Sequence, residues 1–558
     1  MTKPAVSLLL ILFFANCDEK SIIVGSSKTS IYDSGGELMP EQAAFDVNFY
    51  DLNLRVEPEK KWIGGSLGMI CTATKPLDVV VLQLDTLMKI SRISGLKGSD
   101  LKWKHIDGLV IIYPDKPVKV NNRFFAKIEY SGHPLEAKEP KRFSWSDGFY
   151  WAKTESGLPW IGNVSVLNGA DIWWPCKDHP SDEPDSMAIN IRVDNRLKVA
   201  ANGQLRGITH HNDNTNTYRW FVSTPINNYS VTMNIAPYIQ IDTTFYSVSG
   251  ESFPFSFWAI PEHYKAARNQ FPHFVENMKF LEQLLGPYPF RIDKYGSAET
   301  YYLGMENQSI IAYGSTFELN EWGFDNLHFH ELTHEWFANL VTSRDWRHWW
   351  IHEGITSYIV SLYAEYLSGG KEETYLAYMA KTMSRVKNEK PIVLANEEVT
   401  AREGYISDVY SKGASVMHTL RHLIGKEKMY ELLRTIAYPT EKKRNAIHGS
   451  QTRFITTDDV VSIASDIYGK SLGWFFDAYL FYPDIPSVVI KELENKIIIR
   501  WETGAEDPFP LPIPIRVGDE IVVLEMKDGY GELENNGQSI EIDPEGRILK
   551  NIVYQNKI

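Results

Sequence analysis

The chain has 558 residues, of which 43% are hydrophobic and 23% charged, which is ordinary for a globular protein and long enough for three or four domains. Its formal net charge of −14 at pH 7 argues against nucleic acid as a partner. After the N-terminal segment, no stretch approaches the ~20 consecutive apolar residues that a membrane-spanning helix needs.

The N-terminus has the pattern of an export signal. Lys3 precedes an apolar run over residues 5–15, which is too short to span a membrane, and Cys17 follows this run. The segment resembles a bacterial lipoprotein signal, which implies that Cys17 is lipidated and begins the mature chain. We therefore expect residues 1–17 to direct export and Cys17 to anchor the protein to a membrane, facing the periplasm or the cell exterior of a bacterium. An ordinary cleaved signal peptide is the alternative.

The next two segments are a tether and a β-rich region. Residues 18–42 are rich in serine and glycine and are typical of a flexible tether. Over residues 43–242, apolar and polar residues alternate in short runs between turn clusters, which predicts an all-β sandwich domain. Cys71 and Cys176 lie in this region without the spacing of a metal site or a disulfide framework, although a single bridge between them stays an alternative.

Residues 243–482 are mostly helical in pattern and contain the most informative motif, His330-Glu331-Leu332-Thr333-His334. The apolar spacing from Phe324 to Leu340 predicts that this motif lies on a helix. Positions 330 and 334 are then one turn apart on one face, so both imidazoles can bind one zinc ion. Glu331 lies about 100° round the helix, where it can act as general base toward a zinc-activated water. A core helix with two hydrogen-bonded histidines is the alternative.

A second helix is predicted to supply the third zinc ligand. The segment Trp350 to Leu367 has a helical pattern, stops at Gly369-Gly370, and carries Glu353 in its first turn. If the two helices are antiparallel, Glu353 returns to the two histidines and completes a site for one zinc ion per chain.

With these residues, the chain resembles the M1-family (gluzincin) zinc metallo-aminopeptidases over nearly all of its mature length. Two further motifs carry the resemblance. Gly304-Met305-Glu306-Asn307 is similar to the end of the family's exopeptidase motif, and Tyr410-Ser411-Lys412-Gly413-Ala414 is similar to the family's Tyr-x-Lys-Gly-Ala. The resemblance implies a thermolysin-like α+β catalytic domain. It also implies substrate binding by Gly304, Met305, Glu306 and Asn307, with Glu306 holding the free α-amine, and a catalytic Tyr410 that stabilises the oxyanion.

The sequence departs from the family pattern at two places. Leu303 stands where the exopeptidase motif usually has its first glycine. Val166 stands where relatives carry a glutamine that provides a second anchor for the amine, and Asn163 or Asn168 are the polar groups nearby that could replace it. The second departure weakens the expectation of strict N-terminal recognition and leaves the zinc chemistry unchanged.

Strand patterns return over residues 483–558, as in Ile497 to Trp501 and Ile513 to Val517, and predict a small C-terminal β-sandwich domain. The large helical C-terminal domain of many relatives is not expected, so the chain resembles a short bacterial type. The expected activity is removal of the N-terminal residue from peptides with a free amine. The alternatives are a zinc endopeptidase, an epoxide hydrolase with aminopeptidase side activity, and a non-catalytic peptide-binding scaffold on the same fold.

Overall fold

The computed structural model describes residues 33–138, 140–396 and 398–555. The expected signal segment and Cys17 lie outside these ranges. Among the helices that the structure describes, none has the length and apolar composition needed to cross a membrane. Cys71 and Cys176 are both buried and unpaired, so the single bridge that the sequence left open does not form.

The N-terminal part of the described chain is built from strands. Its seven-stranded sheet has the order β12-β13-β10-β1-β2-β7-β4, and sheets of order β11-β14-β9-β8 and β3-β6-β5 share its buried core. The strands are β1 (Phe45–Glu57), β2 (Trp62–Ala73), β3 (Val80–Gln83), β4 (Met88–Ser94), β5 (Lys102–Ile106), β6 (Leu109–Tyr113), β7 (Arg123–Gly132), β8 (Gly148–Lys153), β9 (Pro159–Val164), β10 (Ser186–Asp194), β11 (Lys198–Ala201), β12 (Gln204–His210), β13 (Thr215–Val222) and β14 (Met233–Ala236).

A mixed five-stranded sheet begins the central part, with the order β15-β16-β17-β19-β18. Its strands are β15 (Ile239–Tyr246), β16 (Ser252–Ala259), β17 (Tyr295–Glu299), β18 (Gly304–Met305) and β19 (Ile311–Tyr313). The boundary expected between residues 242 and 243 falls inside β15, and all of β15 pairs with β16. The short β18 is an edge strand, so one side of its backbone is open to pair with another extended chain.

Helices make up the rest of the central part, with a parallel pair of short strands, β20 (Val341–Ser343) and β21 (Arg453–Ile455). The helices are α1 (Tyr264–Leu285), α2 (Asn326–Thr333), α3 (Trp350–Leu367), α4 (Glu372–Met383), α5 (Ala401–Gly404), α6 (Asp408–Ile424), α7 (Lys426–Ala437), α8 (Glu441–Asn445), α9 (Thr457–Tyr468) and α10 (Gly473–Leu480).

Helices α3 and α6 approach each other closely at a pair of glycines. A Cβ added to Gly354 would lie 2.8 Å from the Cα of Gly413, and a Cβ on Gly413 would lie equally close to Gly354. Any larger side chain at either position would push the two helices apart. This crossing places the first turn of α3 beside the first turn of α6.

The helix that carries the zinc motif is shorter than its apolar pattern predicts. It begins at Asn326, where the Asp325 side chain caps the His328 N–H at 3.1 Å, and it ends at Thr333. Beyond it the chain is held by tertiary hydrogen bonds, because Glu335 accepts from the Ser309 N–H at 2.7 Å and Asn339 donates to the Glu306 carbonyl at 2.9 Å. These contacts with residues 304–309, here called the exopeptidase segment, outweigh the helical periodicity.

After α10 the chain forms two further sheets, of order β26-β23-β22-β28 and β25-β24-β27. Their strands pair antiparallel except for β22 and β28, which are parallel. Their buried side chains belong to the same continuous apolar core as the central helices. The strands are β22 (Ser487–Glu492), β23 (Lys496–Glu502), β24 (Ile513–Val517), β25 (Glu520–Leu524), β26 (Tyr530–Glu534), β27 (Ile540–Ile542) and β28 (Asn551–Gln555).

Residues 33–36, which the sequence analysis assigns to the tether, are docked onto the body of the protein. The Ser34 N–H donates to the carbonyl of Leu167 at 2.9 Å, and the Ser34 carbonyl accepts from the Ala401 N–H at 2.8 Å. Gly35 lies against the indole of Trp346, and an added Cβ would be 2.4 Å from it. This docked segment therefore ties the loop after β9 to the start of α5.

Candidate active site

The structure brings the three expected zinc ligands together. The Nε2 atoms of His330 and His334 are 3.1 Å apart, and each is 3.3 Å from Oε2 of Glu353. His330 and His334 come from the end of α2, and Glu353 comes from the first turn of α3. Among the residues described, this is the group of three potential ligand side chains that converges closely enough to hold a metal ion.

The spacing of these atoms fits a zinc ion. Four ligands in a tetrahedron with bonds of ~2.0–2.1 Å are separated by roughly 3.3–3.4 Å, close to the three distances observed here. The Nδ1 atom of His334 lies 2.9 Å from the Phe337 carbonyl, and the Thr356 hydroxyl is 3.3 Å away. Because Nδ1–H donates to that carbonyl, Nε2 is left as the metal-binding atom.

Glu331 lies over the edge strand of the central sheet. A Cβ on Gly304 would be 2.5 Å from Oε1 of Glu331, so only glycine at this position leaves room for the carboxylate. Burial raises the pKa of Glu331 well above its usual range, and the Glu306 and Glu353 carboxylates raise it further against the opposing effect of His334. A carboxyl whose pKa is raised holds a proton more readily, which suits a group that takes up a proton and later releases it.

Tyr410 is the third residue of α6 and faces the metal ligands. Its ring centroid is 6.1 Å from that of His330, with nearly parallel planes. Burial, and then the charge of Glu353, raises the pKa of the Tyr410 phenol well above its usual range, so the hydroxyl keeps its proton and can donate it in a hydrogen bond. Tyr405 packs edge-on against this ring at 6.3 Å and supports its position.

The exopeptidase segment presents alternate side chains to opposite sides, as a strand does. Gly304 and Glu306 face Glu331 and the pocket. Met305 points the other way into an apolar cluster with Val166 and Trp346. The Asn307 side chain donates to the Ser230 carbonyl at 3.1 Å. The side chains of Met305 and Asn307, expected among the substrate-binding residues, thus pack within the protein, and only their backbone can meet a substrate.

The loop after β9 contributes no amide side chain to the pocket. Val166 is buried in the apolar cluster. The Asn163 amide donates to Ser165 and the Val231 carbonyl and accepts from Thr232, so it is committed to the core of the N-terminal part. Neither Val166 nor Asn163 can therefore anchor an amine.

The other candidate in this loop, Asn168, also faces away from the pocket. Its side-chain oxygen accepts from Arg402 at 3.1 Å, and its backbone N–H donates to Asp147. Arg402 in turn binds Asp33 of the docked N-terminal segment at 2.7 Å. Asn168 is part of a contact between three chain segments rather than of the site.

The pocket contains more buried carboxyl groups than imidazoles. Glu306, Glu331 and Glu353 are only 6%, 7% and 4% exposed, and two imidazoles face them. Burial alone would lower the pKa of His334, but the carboxylates of Glu353, Glu306 and Glu331 outweigh it and raise that pKa to about 10. Burial likewise opposes ionisation of Glu353, and the two imidazoles outweigh it and lower its pKa. The pocket is therefore built to receive positive charge.

A short helix pair that brings His-Glu-x-x-His and a downstream glutamate to one point defines a gluzincin-type metallopeptidase centre. Residues 271–479 match the Peptidase family M1 domain, and this part of the chain belongs to that family. The matched range contains the three expected metal ligands and also Glu306, Glu331 and Tyr410.

Curated relatives of the chain are aminopeptidases. Leucine aminopeptidase 2 of Vanderwaltozyma polyspora is 24% identical over 69% of this chain and 59% of the relative. Aminopeptidase B of Rattus norvegicus is 24% identical over 89% of this chain and 76% of the relative. Aminopeptidase B of Homo sapiens is 25% identical over 64% of this chain and 51% of the relative. The chain thus spans between about half and three quarters of the length of these relatives.

Solved structures share the fold. A mutant M1 zinc metallopeptidase from Deinococcus radiodurans, bound to a Tyr-Ser-Ala substrate, has a TM-score of 0.65 and 22% identity. The similarity covers 82% of this chain and 98% of that one. A two-domain M1 zinc metallopeptidase bound to L-tryptophan gives a TM-score of 0.64 at 21% identity over 82% of this chain and 99% of that one. The β-rich and helical parts described above thus resemble the fold of a two-domain M1 metallopeptidase.

Two features of the site escaped the sequence analysis. The Gly354–Gly413 contact was open to prediction, since one glycine follows Glu353 directly and the other belongs to the Tyr410 motif. Tyr229 was not, because no local pattern marks it. It lies in a short turn at Asn228–Ser230 and reaches Glu306 only through the tertiary fold.

Proposed function

We propose that the protein is a zinc-dependent aminopeptidase that hydrolyses the N-terminal residue from peptides with a free amine. The excess of buried carboxylates in one pocket carries this proposal. Glu353 converges with two imidazoles, and Glu306 is a second buried carboxyl whose pKa is raised by burial, so a positive charge beside it would stabilise its ionised form. A peptide's N-terminal ammonium supplies that charge. The names of the relatives and the peptide and amino acid bound by the solved structures support the same activity.

His330, His334 and Glu353 would hold one zinc ion per chain. When bound, zinc supplies Lewis-acid chemistry at the scissile carbonyl and toward the attacking water. The protein's own contribution is to hold three ligands in place before the metal arrives. The crossing of α3 and α6 and the Phe337 carbonyl do this.

Glu331 acts as general base and then as general acid in this proposal. Its carboxylate takes a proton from the attacking water and passes it to the nitrogen of the leaving peptide. Its raised pKa favours holding that proton between the two steps. The absence of a side chain at Gly304 lets the carboxylate lie directly above the edge strand where the substrate backbone would pair.

Tyr410 and Glu306 bind opposite ends of the first residue of the substrate, its carbonyl and its amine. The Tyr410 hydroxyl donates a hydrogen bond to the oxyanion that develops on the scissile carbonyl. The Glu306 carboxylate binds the ammonium, which fixes the register at the first residue. An acetylated N-terminus would leave Glu306 buried and without its cation, so such peptides are rejected.

The arrangement of the whole protein is part of the proposal. We infer an N-terminal β-sandwich domain, a thermolysin-like catalytic domain and a small C-terminal β-sandwich domain, supported by the strand-rich, helical and strand-rich parts of the described chain. Export and a lipid anchor at Cys17 are supported by the pattern of residues 1–17 alone.

The proposal is tested with one short peptide and its N-acetylated twin. Initial cleavage rates are measured with the zinc-loaded protein lacking its first 17 residues. Release of the first residue from the free peptide only is the expected result. Equal cleavage of both peptides would favour a zinc endopeptidase, which the apolar Val166 at the amine end makes the main alternative. Stoichiometric zinc without cleavage of a broad peptide set would favour a non-catalytic peptide-binding scaffold.

A further inference from the structure

The hydroxyl of Tyr229 is a buried polar group that the mechanism above leaves unused. Tyr229 is 2% exposed, and its hydroxyl makes no hydrogen bond of ideal geometry among the described residues, but the Glu306 carboxylate lies within its hydrogen-bonding reach. It faces the carboxylate of Glu306, and Glu353 lies near enough to act on it as well. If the hydroxyl gives its one proton to Glu306, its lone pairs remain as acceptors for an N–H of a ligand in the pocket.

The turn that carries Tyr229 is fastened to the exopeptidase segment. The Asn227 side chain accepts the Tyr229 N–H at 3.2 Å. The Ser230 hydroxyl accepts the Gln308 N–H at 2.6 Å. The Tyr229 ring packs against Trp346 with centroids 5.5 Å apart. Tyr229 and Glu306 are therefore two parts of one rigid unit, and the hydroxyl cannot turn away from the carboxylate.

The three side chains near the loop after β9 that could have replaced an amide anchor do not offer one to the pocket. Val166 is apolar, Asn163 is hydrogen-bonded inside the N-terminal part, and Asn168 binds Arg402. An ammonium has three N–H groups, and a single carboxylate in a closed pocket leaves at least one of them to be satisfied. Tyr229 offers a lone pair in that place.

We propose that the Tyr229 hydroxyl is a second anchor for the substrate's N-terminal ammonium, donating its proton in a hydrogen bond to Glu306 and accepting one N–H from the ammonium. This inference rests on the proposed function and adds to it the group that completes amine recognition where the chain has no amide side chain. No proton is transferred, so the role is binding and orientation. A primary ammonium fits both partners, whereas an acylated nitrogen has too few N–H groups.

The test uses two inhibitors that differ only in the amine, leucine hydroxamic acid and its des-amino analogue 4-methylpentanohydroxamic acid. Inhibition or dissociation constants are measured on the full zinc-loaded chain and on Tyr229→Phe. The substitution removes one oxygen and keeps the ring on Trp346. We expect it to weaken the amine-bearing inhibitor by about 10- to 100-fold and to leave the des-amino inhibitor unchanged. For a free peptide, the loss should lie in KM more than in kcat.

Tyr130→Phe is the matched control. Tyr130 is also 2% exposed and its hydroxyl lacks a hydrogen-bonding partner among described residues, but it lies in the core of the N-terminal strands. The Tyr130→Phe substitution should leave the inhibition or dissociation constants of both inhibitors unchanged. Zinc content and thermal unfolding are measured for both variants, so that a folding defect shows itself as an equal loss for both inhibitors.

Three results would overturn the inference. Tyr229→Phe could keep the wild-type ratio of the two constants, which would refute the anchor while the proposed function stands. It could weaken both inhibitors equally, which would mean a structural role. The wild-type protein could fail to distinguish the two inhibitors, and then amine recognition by Glu306 and the proposed function would fail together.

Discussion

The two ends of the candidate site are built in different ways. The metal end comes from residues 330–353, on two helices whose spacing is readable in the chain. The amine end joins the segment of Glu306 to the turn at Tyr229 by hydrogen bonds, and both pack with Val166 of the loop after β9 in one apolar cluster, although the three segments are distant in the sequence. Chemistry that depends on the metal end should therefore be insensitive to changes at the amine end, and the reverse.

The difference is also electrostatic. At the metal end, the Glu353 carboxylate lies against two imidazoles, one of which is oriented by the Phe337 carbonyl, and the group is suited to a dication. At the amine end, Glu306 has a neutral phenol beside it, and burial raises its pKa. The first end sets whether bonds are broken, and the second sets which bond is broken.

The largest expected effect is at the metal end. Glu331→Gln removes the group that moves the proton and keeps its shape over Gly304. We expect kcat to fall by about 10²–10⁴-fold with zinc content and KM nearly unchanged. Steady-state kinetics and metal analysis of the same sample give both quantities. Substantial residual turnover would exclude Glu331 as the base.

The next effect concerns the oxyanion. Tyr410→Phe should lower kcat by about 10²–10³-fold, because a donor aimed at the developing charge is lost while the ring stays beside His330. Tyr405→Phe is the natural comparison, since Tyr405 touches the Tyr410 ring and is not assigned a contact with the substrate. A Tyr410→Phe enzyme with near-wild-type kcat would remove the phenol from the mechanism.

Zinc affinity should depend on pH in a definite direction. The neighbouring carboxylates raise the pKa of metal-free His334 to about 10, so zinc must displace a proton at any lower pH. Each unit of acidification then weakens binding about tenfold, and apparent affinity should fall about 100-fold between pH 8 and pH 6. Competition titration with a chelator of known pH dependence measures this. Constant affinity over the range would mean that His334 is already neutral without metal.

The contrast between the two ends also sets what could be predicted from the sequence. The helix Trp350–Leu367 and the metal ligands could be predicted from the spacing of residues in the sequence, because that spacing fixes which side chains lie on the same face of a helix. The early end of α2 at Thr333 could not, since contacts of Glu335 and Asn339 with a distant segment decide it. The position of Tyr229 beside Glu306 could not be predicted either, because it also depends on contacts between distant segments. The docking of residues 33–36 was missed because small polar residues read as a tether whether or not a surface receives them.

The smallest expected effect is a change in KM when the docked segment is disturbed at Gly35. Gly35 has a positive φ of 80° and lies against Trp346, whose indole also packs on Tyr229. Gly35→Ala should cost about 1–2 kcal/mol of backbone strain and, in addition, displace the docked segment from the loop after β9. We expect Gly35→Ala to raise KM for a free peptide and to leave zinc affinity unchanged. When it is combined with Glu331→Gln, the loss of kcat caused by Glu331→Gln should stay the same.

Gly98→Ala separates strain from contact. Gly98 has nearly the same φ, 78°, and an added Cβ would meet nothing within 4 Å. Both variants should lose similar stability in thermal unfolding from strain alone, but only Gly35→Ala should change KM. If Gly98→Ala raises KM equally, the effect is general destabilisation. If Gly35→Ala leaves KM unchanged, the docked segment does not support the amine end.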